Sequence, residues 1–147
     1  MNTNKNLPIE EAFNLAVKNH QEGKTDIAQN YYQKVLKIDP NNLVTHNNLG
    51  AIFESLGELQ KAQNYYEKAI KINPNYADAH YNLGTLLKEF VGNQKVKAKE
   101  CYEKVIEIDP SHTEAYNNLG LVFHELGELQ KAKECYEKAI KLKPSYA

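Results

Sequence analysis

Asparagine recurs along this chain at a spacing that would suit the binding of a peptide backbone. Asn14, Asn48, Asn82 and Asn118 follow one another at intervals of 34, 34 and 36 residues. Each side-chain amide can donate and accept a hydrogen bond, which matches one peptide unit of an extended chain. A row of such amides would hold a peptide without reading its sequence. The alternative is that these asparagines simply face water, and the pattern itself favours neither interpretation.

Other residue types that do chemistry lack the partners they would need. No two of the five histidines are three or four residues apart, and neither His-Glu-x-x-His nor Cys-x-x-Cys occurs. The three serines have no evident base, and there is no phosphate-binding loop. Cys101 and Cys135 fall at equivalent places in adjacent repeats, where a disulfide would need Cα atoms within about 7 Å. We therefore expect no catalytic residue, no cofactor and no metal.

The charge of the chain argues against nucleic acid and membrane as partners. The net charge of the 147 residues is −1, and all 18 basic residues are lysine. Arginine, the usual side chain for bidentate contacts with phosphate, is absent. The polar residues 1–7 do not resemble a signal peptide, and no apolar run is long enough to span a bilayer. Together with the unpaired cysteines, these features predict a cytoplasmic protein.

The asparagines belong to a longer repeating pattern that must position them. Its recurring residues are Leu49-Gly50, Leu83-Gly84 and Leu119-Gly120; Ala28, Ala62, Ala98 and Ala132; Tyr32, Tyr66, Tyr102 and Tyr136; and Pro40, Pro74, Pro110 and Pro144. We define repeats 1 to 4 as residues 9–42, 43–76, 77–112 and 113–146, after a flexible segment at 1–8. Each contains two apolar-periodic segments, and such a period is typical of stacked-repeat proteins.

The turns also follow a pattern. Glycine at Gly23, Gly57, Gly92 and Gly127 is expected to take the positive φ that ends each first helix. The proline of each repeat should end the second helix. Repeat 3 holds two extra residues between Gly84 and Ala98, one on either side of Gly92 if Phe90 matches Leu56. We expect its turn to bulge or its first helix to be longer.

The combination of Leu-Gly, Gly, Ala, Tyr and Pro at these spacings resembles the tetratricopeptide repeat. The resemblance covers residues 9–146. It implies an all-α, right-handed solenoid of four antiparallel helix pairs, whose first helices line the concave side. It also implies a non-catalytic module for protein–protein interaction. The asparagine series resembles the repeat region of O-linked N-acetylglucosamine transferases, in which asparagines at this position hold peptides.

Numbering each repeat from its first residue places positions 2, 5, 6, 9, 12 and 13 on one side of the first helix. We call this side the asparagine face, and we expect it to be the peptide-binding groove. Its candidate binding residues are Asn14, Asn48, Asn82, Asn118, Asn47, Tyr81, Asn117, Thr85, Leu121, Asp78 and Glu114. Its charged residues are Glu10, Glu54, Asp78, Glu89, Glu114 and Glu125, against the single lysine Lys88. This acidic balance favours a neutral or basic peptide or partner helix, and it argues against a clamp for a carboxylate terminus.

The last repeat suggests a second kind of surface. Family arrays commonly end in an extra helix, and none follows repeat 4 in this sequence, so Tyr136, Ile140 and Leu142 are expected to leave an apolar patch. That patch would serve a homo-oligomer. Two alternatives to an independent peptide-binding module therefore stay open: a substrate-recruiting arm of a larger enzyme such as a glycosyltransferase, and a self-associating scaffold.

Overall fold

The computed structural model describes residues 7–90 and 92–144, and over these ranges it contains eight helices and no strand. The all-α fold class of four antiparallel helix pairs is confirmed. The helices are α1 (Ile9–Gln21), α2 (Thr25–Ile38), α3 (Leu43–Ser55), α4 (Leu59–Ile72), α5 (Ala77–Glu89), α6 (Lys95–Ile108), α7 (Thr113–Glu125) and α8 (Leu129–Leu142). The residues divide into an N-terminal unit ending at Asn73 and a C-terminal unit beginning at Pro74.

The helix ends follow from local chemistry. Every second helix ends two residues before the proline of its repeat, which cannot donate the backbone hydrogen bond that a longer helix requires. Two first helices begin at a side-chain cap. Asn42 Oδ1 accepts a hydrogen bond from the Thr45 backbone N–H at 3.1 Å, and His112 Nδ1 accepts one from Ala115 N–H at 3.1 Å.

The turn of repeat 3 differs from the expectation. Gly23, Gly57 and Gly127 have the expected positive φ of 74 to 77°, but Gly92 does not, and Asn93 takes this conformation with φ 67°. Asparagine tolerates left-handed backbone because its short polar side chain can hydrogen-bond locally. Both extra residues therefore precede the left-handed residue, and α5 keeps the 13-residue length of the other first helices.

In repeats 2 to 4, a glycine of the first helix lies against a tyrosine of the second, whereas repeat 1 has Ala16 at this position. A Cβ atom added at Gly50 would lie 2.5 Å from Tyr66 Cε1, and one added at Gly120 would lie 2.7 Å from Tyr136 Cε1. Such distances are well below van der Waals contact, so the absence of a side chain allows the close approach. The expectation that these glycines serve packing is confirmed.

Successive repeats within a unit pack through one stripe of the first helix. In the N-terminal unit α3 packs on α2, and in the C-terminal unit α7 packs on α6. The stripe of α3 that carries Asn48 also carries Thr45 and Ile52, at positions 3 and 10, and both are 0% exposed. Ala115 and Val122 occupy the same positions of α7 and are equally buried.

Candidate functional site

The four position-6 asparagines all lie in the second turn of a first helix. Asn14 on α1 is exposed, whereas Asn48 on α3, Asn82 on α5 and Asn118 on α7 are half-buried. The asparagine face therefore has one part in the N-terminal unit and another in the C-terminal unit.

In the N-terminal unit, a buried tyrosine of the preceding repeat holds the amide of Asn48. Asn48 Nδ2 donates to Tyr32 Oη at 3.1 Å, and Tyr32 is 0% exposed. The rings of Phe13 and His20 meet the Tyr32 ring edge-on, each with 6.2 Å between centroids. Burial raises the pKa of Tyr32, so its hydroxyl stays protonated and can accept this hydrogen bond. The second N–H and the oxygen of Asn48 have no partner among the described residues.

In the C-terminal unit, Asn118 is held on both sides of its amide. Its Nδ2 donates to Tyr81 Oη at 3.1 Å, and its Oδ1 accepts from Lys88 Nζ at 3.0 Å. The side chain of Lys88 is only 13% exposed. The Tyr81 ring meets Tyr102 edge-on at 5.9 Å and lies tilted against the His112 ring at 5.0 Å. This network gives the Asn118 amide one fixed orientation.

The remaining candidate binding residues of the asparagine face differ in how accessible they are to a ligand. Thr85 Oγ1 lies 3.0 Å from Tyr102 Oη, so it joins the network around Tyr81. Asn117 is half-buried, and Leu121 is 39% exposed. Asn47 is 7% exposed and so lies below the surface.

The acidic residues of the asparagine face are partly engaged within the chain. Glu54 Oε2 accepts a hydrogen bond from Tyr66 Oη at 2.7 Å, and burial together with this carboxylate raises the pKa of Tyr66. Ion pairs join Glu125 to Lys95 at 3.3 Å, Glu89 to Lys88 at 3.7 Å and Glu114 to Lys143 at 3.9 Å. Asp78 is exposed. The face is therefore less acidic than the count of its residues suggests.

Two features of the asparagine face were not expected from the sequence. The hydroxyls of Tyr32 and Tyr102 reach this face, although the second-helix tyrosines were interpreted as packing residues. Lys88 is part of the hydrogen-bond network around Asn118. The signal in the sequence is that a buried tyrosine needs a partner for its hydroxyl, but the sequence does not identify that partner.

The histidines at position 4 lie on the packed side, as their register predicts. His46 Nε2 and His80 Nε2 lie 2.7 and 2.8 Å from the backbone oxygens of Pro40 and Pro74. Because a carbonyl oxygen only accepts, each Nε2 carries the hydrogen and donates it. In the described part of the chain, no group of three His, Cys, Asp or Glu residues is placed to hold a metal ion. Over the same residues, no helix has the length and hydrophobicity to cross a membrane.

The predicted self-association patch lies on α8. Ile140 is 40% exposed, Leu142 is 36% exposed, and Tyr136 is half-buried, whereas the equivalent Tyr32 and Tyr66 are at most 1% exposed.

The opposite end of the repeat series is polar. At positions 3 and 10, where α3 and α7 bury Thr45, Ile52, Ala115 and Val122, α1 instead carries Glu11 and Lys18, which are both exposed. Stacking α8 of one molecule on α1 of another would bury these two charges.

Comparisons with protein families match most of the chain to tetratricopeptide repeat models. Models described as tetratricopeptide repeat match residues 12–42, 44–76, 65–99 and 113–146, and one described as TPR repeat matches residues 94–127.

Comparisons with solved structures and with a curated protein give named relatives. A crystal structure of MamA protein is 32% identical, with a TM-score of 0.82, over 92% of this chain and 73% of that chain. A second MamA structure is 28% identical, with a TM-score of 0.85, over 94% of this chain and 80% of that chain. An uncharacterized protein, ycf37 of Pyropia yezoensis, is 44% identical over 39 residues, which span 26% of this chain and only 22% of that protein.

Proposed function

Because the chain belongs to the tetratricopeptide repeat family, a family of protein–protein interaction modules, we propose that it binds an extended peptide on the asparagine face. The observation that carries this proposal is the fixed orientation of the Asn48 amide by Tyr32 Oη at 3.1 Å. The second N–H and the oxygen of Asn48 would then pair with one peptide unit of the ligand. An amide already held in place loses little conformational entropy on binding.

The C-terminal unit would contribute a different kind of contact. The Asn118 amide donates one N–H to Tyr81 and accepts from Lys88, so the hydrogen-bond donors left for a ligand are its second N–H and those of the Lys88 ammonium group. A backbone carbonyl oxygen of the peptide is a suitable acceptor. Asp78, exposed in the first turn of α5, favours a neutral or basic peptide over an acidic one.

A random 12-residue peptide library, selected against the full chain, tests the proposal without a known partner. We expect the selected peptides to be neutral to basic, and Asn48→Ala to weaken them about tenfold, the loss expected for two hydrogen bonds. Asn30→Ala is the matched control, since Asn30 is exposed on α2. Equal affinities for the two variants would count against the asparagine face.

Self-association is a second candidate, favoured by the exposure of Ile140 on α8, whose equivalents Leu36, Ile70 and Ile106 are half-buried. Glu11 and Lys18 disfavour stacking of α8 on α1 of another molecule, so we propose pairing of α8 with α8. Light scattering over a concentration series would then show a dimer that Ile140→Glu converts to monomer. A monomer at all concentrations would exclude this candidate.

A further inference from the structure

The two second helices α4 and α8 have nearly the same sequence. They differ at four positions, and one of these differences replaces a large side chain by a small one. The differing pairs are Gln63 and Lys133, Asn64 and Glu134, Tyr65 and Cys135, and Ile72 and Leu142. The third pair replaces a large ring by a small thiol at position 23 of the repeat.

In repeat 2, the Tyr65 ring fills a defined place. It stacks on Phe53 with 5.4 Å between centroids and 7° between planes, and it lies tilted against His46 at 5.9 Å. Gln33 Nε2 of the preceding repeat donates to Tyr65 Oη at 3.2 Å. Lys68 Nζ lies 5.1 Å from the ring centroid.

In repeat 4, the phenylalanine partner of that ring is present but the ring is not. Phe123, Tyr116, Glu103 and Lys138 occupy the positions of Phe53, His46, Gln33 and Lys68. With Cys135 in place of Tyr65, an open depression of about 400 Å³ lies between α6, α7 and α8, lined by Cys135, Phe123, Tyr116 and Glu103 among others.

A lysine over the phenylalanine does not obstruct this depression. Lys131 Nζ lies 5.5 Å from the Phe123 centroid, and Lys61 Nζ lies 5.2 Å from the Phe53 centroid. In repeat 2, therefore, the same lysine position coexists with a stacked tyrosine ring.

We propose that this depression, the Cys135 pocket, binds one tyrosine side chain of a partner protein in the place that Tyr65 fills in repeat 2. The ring would stack on Phe123, an arrangement that aromatic pairs favour. Glu103 stands in repeat 3 at the position that Gln33 has in repeat 1, and its charge determines which polar group of a ligand fits the pocket. A carboxylate only accepts hydrogen bonds, so it matches the phenol hydroxyl as a donor.

The Cys135 side chain can serve as an apolar contact surface for the tyrosine ring of the ligand. Cys135 is free and half-buried, and burial together with the Glu134 and Glu103 carboxylates raises its pKa to about 11. It therefore stays neutral near pH 7.

The Cys135 pocket is separate from the asparagine face. Its α7 residues Tyr116, Leu119 and Phe123 occupy positions 4, 7 and 11, whereas the asparagine face uses positions 2, 5, 6, 9, 12 and 13. The pocket is therefore a second site, and its test does not depend on peptide binding at Asn48.

The test uses p-cresol, which has the ring and hydroxyl of tyrosine, titrated into the full chain and followed by amide chemical shifts. We expect shifts confined to residues around Cys135 and Phe123. In 4-methylanisole the hydroxyl is methylated and cannot donate, so its affinity should be about tenfold lower. Equal affinity for the two probes, or no shift at the pocket, would overturn the proposal.

Three variants sharpen this test. Cys135→Tyr should abolish binding of p-cresol because it restores the ring of repeat 2, and unchanged binding would overturn the proposal. Tyr65→Cys is the matched control and should create a second p-cresol site next to Phe53. Glu103→Ala removes the acceptor from an α6 side chain that lines the pocket, so it is informative even if Cys135→Tyr does not fold. It should weaken p-cresol more than 4-methylanisole, and an equal effect on both would contradict the role of the carboxylate.

Discussion

Replacing Gly50 with alanine is expected to destabilise the protein by about 2 kcal/mol, although alanine is the better helix former. The added Cβ atom would lie 2.5 Å from Cε1 of Tyr66, whose ring is 1% exposed. The hydroxyl of Tyr66 is bound to Glu54 at 2.7 Å, so the ring is held at both ends. Overpacking of this kind costs up to about 3 kcal/mol, and the gain in helix propensity offsets roughly 1 kcal/mol of that.

Thermal and urea unfolding followed by circular dichroism at 222 nm would measure this change. A loss of about 2 kcal/mol corresponds to a decrease in Tm of about 4 to 8 °C for a chain of this size. Gly84→Ala should cost less, because its Cβ atom would lie 3.1 Å from the nearest atom. Gly92→Ala is the control, since Gly92 has open space around it and no positive φ. A Gly50→Ala variant as stable as Gly92→Ala would refute the packing role of the glycine.

Three further predictions concern single side chains. Tyr66→Phe should lower the free energy of unfolding by about 1 to 2 kcal/mol, because Glu54 loses the hydroxyl donor at 2.7 Å; no change in the urea midpoint would contradict this. Asn93→Ala should cost about 1 kcal/mol, since alanine tolerates φ 67° less well, while Asn93→Gly should not; equal stabilities of these two variants would disagree with the left-handed turn. The pKa of Cys135 is raised to about 11, so its alkylation by iodoacetamide, resolved from Cys101 by peptide mass spectrometry, should be slow at pH 8 and rise toward pH 11. A folded pKa above the unfolded one also means that the thiol contributes stability below about pH 9 that is lost as the pH rises toward 11. Rapid labelling of the folded chain at pH 8 would argue against this environment.

The helices and most of their ends could be predicted from the sequence. Prolines ended all four second helices where expected, and three of four glycines took the predicted left-handed conformation. The exception was repeat 3, where Asn93 rather than Gly92 took it. Glycine is the residue expected at such a position. Because this turn has two extra residues, more than one of its residues could adopt the left-handed conformation, and the geometry of both flanking helices determines which one does.

The candidate site could be predicted only in part. The register of 3.6 residues per turn placed the asparagines on one face of each first helix, but it did not show what holds them. Asn48 is bound by a second-helix tyrosine of the preceding repeat, whereas Asn118 is bound by a first-helix tyrosine and a lysine. Equivalent residues thus have different partners, because the side chains around them differ between repeats.

By itself, the sequence determined the repeat and the helix pairs, since periodicity is encoded in every turn of the chain. Only the tertiary structure decided which hydroxyl meets which amide and where a missing ring leaves space. The exchange of Tyr65 for Cys135 is visible in the sequence as a change of size. That it opens a pocket against Phe123 depends on the distance between two helices, which no local pattern specifies.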